Sequence, residues 1–127
     1  MNAQELMAKA IQAATSAKLL LDAGDADGAC NRAYYAMFDA ARAALLASGA
    51  PVPAEIAKTH NGLISAFSLH LVKIGRVSVE LGKTLNKTEE LRLIADYKGD
   101  PIEIDAASWA VSQAHSFVQE MQDTFLK

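Results

Sequence analysis

The feature that most limits how this chain can fold is the long apolar run from about residue 26 to residue 48. There Cys30, Ala33, Met37, Ala40 and Ala44 recur at helical spacing beside a second row of Tyr34, Phe38, Ala41 and Leu45. Two adjacent rows make an apolar face wider than one partner can cover, so this helix is expected at the centre of a bundle. Most of its apolar positions are alanine, which lets neighbouring helices come close. About a fifth of the 127 residues are Ala, with only three Pro and seven Gly, a balance that favours helices over sheets. The expected fold class is therefore all-α: an up-and-down antiparallel bundle of four to five helices, in one domain spanning residues 1–127.

The other elements follow from the same periodicity. Residues 3 to 22 carry Leu6, Ala10, Ala13, Ala17 and Leu20 and stop at Gly24, with Asp25 as the next N-cap. Ser48-Gly49-Ala50-Pro51-Val52-Pro53 breaks the second helix. A third is expected to begin at the N-cap Thr59 and run through Leu63, Phe67, Leu71 and Ile74 to Gly75. A fourth carries Leu81, Leu85, Leu91, Ile94 and Ala95 and ends before Gly99. A fifth starts at Asp105 and bears Ala107, Val111, Ala114, Val118, Met121 and Phe125.

Function classes can be narrowed. The net charge of -3 argues against bulk electrostatic binding of nucleic acid. Residues 54 to 98 hold seven Lys or Arg against five acids, so a local anion site belongs there more than in residues 99 to 127, where one Lys faces five acids. Cys30 has no disulfide partner and reads as a small buried thiol. No basic leader and no long apolar run suggest export or membrane insertion, so a cytoplasmic location without membrane contact is expected. No His, Cys, Asp or Glu cluster has ligand spacing, and no Gly-rich phosphate loop occurs, so neither metal nor cofactor is expected.

Chemistry concentrates near the end of the fourth helix, in Arg92-Leu93-Ile94-Ala95-Asp96-Tyr97. Arg92 and Asp96 are neighbours at i, i+4, and the series Leu85, Thr88, Arg92, Ala95 brings the guanidinium beside the core-facing stripe. A charge there needs a partner or a ligand. One reading is an ion pair with Tyr97 packed across the bundle end. The other is a pocket where Asp96 orients Arg92 and Tyr97 offers a hydroxyl to phosphate or a flat face to a base. On the second helix Tyr34 should turn inward, whereas Tyr35 shares a polar strip with Arg32, Asp39 and Arg42, either a solvated face or a groove wall.

Ala29-x-x-Arg32-Ala33-Tyr34-Tyr35-Ala36-Met37-Phe38, then His60-x-Gly62-Leu63 with Phe67, then Arg92-x-x-Ala95-Asp96-Tyr97, in this order and spacing, closely resemble the HEPN domain family. The likeness covers nearly the whole chain and is greatest to the small stand-alone prokaryotic branch. It implies a helical bundle, a homodimer, a small nucleotidyltransferase as partner, and a toxin-like role in binding or cleaving RNA or binding nucleotides. Many members are metal-independent ribonucleases whose motif arginine is followed by a histidine. By that resemblance Arg92 is the motif arginine, but positions 97, 98 and 99 hold Tyr97, Lys98 and Gly99, so the histidine is missing. Metal-free RNA cleavage needs a proton acceptor near neutrality, which a phenol with pKa about 10 supplies poorly. The candidate catalytic set is thus Arg92, Asp96, Tyr97 and His60, the last placed to fill the gap from a helix start; Arg32 and Tyr35 are candidate ligand contacts. The alternatives are a non-catalytic substrate-binding subunit of a nucleotidyltransferase and a purely structural helical dimer.

Overall fold

The computed structural model describes residues 1–127 and contains helices and no strands. Its principal helices are α1 (Ala3–Asp22), α2 (Ala26–Ala47), α3 (His60–Phe67), α4 (Val79–Leu93) and α5 (Ile104–Phe125). The start of α1 is set by a capping box, in which Asn2 accepts from the Glu5 amide at 2.8 Å and Glu5 accepts from the Asn2 amide at 3.0 Å. Between α1 and α2 the chain reverses at Gly24, whose φ of 85° suits a residue without a side chain. The Asp25 amide donates back to the Leu20 carbonyl at 2.9 Å, and the Asp25 carboxylate caps α2 by accepting from the Gly28 amide at 2.8 Å.

The expectation of a central second helix is met: α2 buries twelve residues and packs against all four other helices. Alanines at 10, 13, 14 and 17 of α1 and at 33, 36, 40 and 44 of α2 are buried, so the hairpin closes on small side chains. Farther out, Phe67 of α3 stacks on Phe117 of α5 with ring centroids 5.8 Å apart. Thr88 is a buried polar side chain of α4; its hydroxyl is satisfied by the Thr84 and Leu85 carbonyls, both at 3.0 Å. No helix is long and apolar enough to cross a membrane.

Two departures from the expected pattern bear on the site. Beyond Phe67, α3 continues through a wider π turn, Ser68–Val72, with the Lys73 amide bonded to the Ser68 carbonyl. The helix ends with this segment, so Ile74, expected on its inner face, falls in the following turn and is 63% exposed. Likewise α4 passes into a π segment, Ile94–Lys98, before Gly99 ends it in the left-handed region. Ahead of α3, a 3₁₀ turn at Ile56–Lys58 lies against its first turn, so closely that a Cβ on Gly62 would strike the Ile56 carbonyl oxygen. Thr59 caps α3 as expected, accepting from the Gly62 amide at 3.1 Å.

Candidate functional site around Arg92

Arg92 reaches from the last turn of α4 toward α2, and its side chain is only 12% exposed. One guanidinium nitrogen donates to Glu89 Oε2 at 3.0 Å; the other lies 3.6 Å from Asp96 Oδ2. Three tyrosine rings surround the guanidinium carbon: Tyr34 at 5.1 Å, Tyr35 at 5.6 Å and Tyr97 at 5.8 Å from their centroids. Burial opposes the charge on Arg92, but the bond to Glu89 and the neighbouring Tyr35 outweigh it, leaving its pKa above the ordinary value. Its Nε is buried without a hydrogen-bond partner.

From this centre polar contacts run two ways. Toward α2, Asn31 Nδ2 donates to Asp96 Oδ2 at 2.9 Å, while Asn31 Oδ1 accepts from Arg32 Nε at 3.1 Å. The Arg32 guanidinium then lies over Tyr35, 5.3 Å from the ring centre. Toward α3, Glu89 Oε2 stands 4.0 Å from His60 Nδ1. His60 is the first residue of α3 and is held on both sides, with Nδ1 2.9 Å from the Tyr34 hydroxyl and Nε2 2.9 Å from Asn86 Oδ1. In the tautomer with its proton on Nε2, the ring donates to the Asn86 amide oxygen while Nδ1 accepts from the Tyr34 hydroxyl. Burial first, and then the Glu89 charge, push the Tyr34 phenol well above the usual tyrosine range, although Arg92 pulls the other way.

The six residues nominated from sequence therefore converge. Asp96, Tyr97, Arg32 and Tyr35 form the accessible part, with Tyr97 73% exposed; Arg92 lies beneath them, and His60 lies behind Arg92 with both nitrogens engaged. Four members escaped sequence reasoning: Tyr34, read as core alone, and Asn31, Asn86 and Glu89. Their signal was spacing, since Asn86, Glu89 and Arg92 follow at three-residue steps on one helix and Asn31 precedes Arg32. His70 borders a groove beside the 3₁₀ turn, and His115 lies on the outer face of α5, both outside this network. No group of three or more His, Cys, Asp and Glu side chains is arranged to hold a metal ion.

A largely buried arginine among tyrosines at the α2–α4 seam, with histidine at the head of α3, joins the three motif segments into one site. The HEPN domain family model matches residues 3–124. This chain belongs to the HEPN domain family. Proteins similar to this chain include a UPF0332 family protein of Gloeobacter violaceus, 41% identical over 96 residues, 76% of this chain and 72% of the relative. A UPF0332 family protein of Thermotoga maritima is 40% identical over 89 residues, 70% of this chain and 63% of the relative's length. A Methanocaldococcus jannaschii protein that carries a provisional toxin name is 31% identical over 119 residues, 94% of this chain and 85% of the relative.

In this HEPN domain the accessible groups offer hydrogen bonding and stacking. The two guanidiniums, Arg32 and Arg92, are matched by two carboxylates, Glu89 and Asp96, so the site is close to neutral.

Proposed function

We infer that this HEPN protein is toxin-like and binds single-stranded RNA at the surface formed by Arg32, Tyr35, Asp96 and Tyr97, with the largely buried Arg92 positioning them. The observation that carries this reading is Tyr97: a tyrosine 73% exposed, its ring beside a fixed guanidinium, at the edge of a partly buried polar network. An aromatic face next to arginine is the usual platform for an unpaired base. The relatives with provisional toxin names support the toxin-like part.

The engagement of His60 by Tyr34 and Asn86 favours binding over cleavage. A general base must reach the 2′-hydroxyl proton, and both ring nitrogens here are occupied by the protein. That favours a binding role, either of the chain alone or as the substrate-binding subunit of a small nucleotidyltransferase, with two copies pairing as a homodimer. The test is titration of a fluorescent single-stranded RNA with wild-type protein and with Arg32→Ala and Tyr97→Ala, alongside a cleavage assay in chelator. RNA binding that falls in both variants, with the RNA intact, supports the reading. Chelator-resistant cleavage lost in His60→Ala would replace it with a nuclease, and unchanged binding in both variants would remove the site. Light scattering at micromolar concentrations tests the homodimer, which a strictly monomeric mass would exclude.

A further inference from the structure

A second concavity lies away from Arg92, where the start of α1, the last turns of α2 and the loop after α2 meet. Leu6, Leu45, Leu46, Val52 and Ala57 line a cleft of about 240 Å³, and the two charged residues at its wall, Arg42 and Lys58, are both cations. Apolar walls with a few convergent polar groups are the usual make-up of a small-molecule site. Arg42 is the more telling residue. Its contact with Asp39 is 3.7 Å long, beyond hydrogen-bond reach, and its guanidinium otherwise lies over Phe38 at 5.9 Å. Asp39 is thus an ion-pair partner that leaves the guanidinium N–H donors without a hydrogen bond, and they can still donate to an anion. The nearby acid of α1, Glu5, is committed to the Asn2 cap, while Lys58 is exposed at the end of the 3₁₀ turn.

We propose that this cleft binds a small anionic amphiphile, a carboxylate with a short aliphatic tail, the tail among Leu6, Leu45, Leu46 and Val52 and the carboxylate between Arg42 and Lys58. A cleft of about 240 Å³, open on one side, suits a short aliphatic chain rather than a long one, and hexanoate is the central probe. Two cations select the charge, because a carboxylate gains charge-assisted bonds there that an alcohol or an amine does not. The site is independent of the RNA reading, since it uses none of the residues around Arg92.

Titration of the full chain with butanoate, hexanoate, octanoate and hexanol, followed by NMR of backbone and methyl signals, tests it. Each methylene taken into the cleft should raise affinity about fourfold, from butanoate to hexanoate, with little further gain at octanoate. The shifts should centre on Leu6, Leu46, Val52 and Ala57. Arg42→Gln should weaken hexanoate about tenfold and leave hexanol unchanged; Lys58→Gln, at an exposed position, should weaken it less and serves if the first variant folds poorly. Hexanol binding as tightly as hexanoate would mean an apolar docking surface for a protein and would overturn the proposal. So would shifts outside the cleft, hexanoate binding unaltered in both variants, or cleft signals that move with protein concentration alone, which would assign the surface to a second copy of the chain.

Discussion

Replacing Arg92 with Met should destabilise the fold by about 2 to 3 kcal/mol, and adding Glu89→Gln should restore part of that loss. The two side chains are 12% and 14% exposed and 3.0 Å apart. At an effective dielectric constant near 20 their attraction is about 5 to 6 kcal/mol, most of it offset by the loss of hydration. The intact pair is thus worth little. Removing one partner is different, because the survivor keeps its burial and loses its counter-charge, a cost of about 3 to 5 kcal/mol for fully buried pairs. The remaining exposure, and the nearness of Glu89 to His60, reduce that figure here. Asp96 adds little, since it is less buried and keeps its bond to Asn31. In Arg92→Met/Glu89→Gln the stranded charge is gone, so the double variant should be more stable than Arg92→Met alone, with a coupling of about 1 to 3 kcal/mol. Urea unfolding followed by far-ultraviolet circular dichroism, with unchanged slope as the check on two-state behaviour, measures all three. An Arg92→Met protein within about 0.5 kcal/mol of wild type, or a double variant whose losses simply add, would refute the argument.

Tyr97→Ala should lower single-stranded RNA affinity roughly 5- to 150-fold, the loss of one stacked base, without moving the urea midpoint, because the ring is largely exposed; a shifted midpoint would make it a packing residue. Tyr34 binds its proton more tightly folded than unfolded, so its stabilising contribution is complete below about pH 10 and declines as pH rises above that value. Absorbance titration should accordingly show as many tyrosinates forming in folded Tyr34→Phe as in folded wild type. Burial, aided by the Asp27 charge, pushes the Cys30 thiol up to about 11, so native protein at pH 8 should resist a thiol reagent that labels it once urea has unfolded the chain. Gly62→Ala should cost about 1 to 3 kcal/mol, because the new methyl meets the Ile56 carbonyl, and should displace His60 from Tyr34, a change visible in the histidine ring signals.

Local order was legible in the chain because helices write it at short range. The rows Cys30, Ala33, Met37 and Tyr34, Phe38, Ala41 mark the central helix, and Thr59, Asp25 and Gly24 mark ends, since each acts on residues three or four away. Arg92 and Asp96 were readable as a pair for the same reason. The π turns were not, because a shift from four- to five-residue bonding leaves no composition signal.

What tertiary structure decided is which of these faces meet. Asn31 and Asp96 are 65 residues apart and bond directly; Tyr34 and Asn86 each lie 26 residues from His60 and hold it from two sides. No periodicity encodes such pairings. They arise when α2, α3 and α4 bury their apolar rows against one another, which brings the polar flanks of three helices to one seam. The sequence determined that Arg92 would stand beside the core and need a partner; only packing determined that Glu89 supplies it, that three tyrosines enclose it, and that His60 is held by the protein. A charge must be satisfied where it is buried, and where it is buried depends on how whole helices fit together.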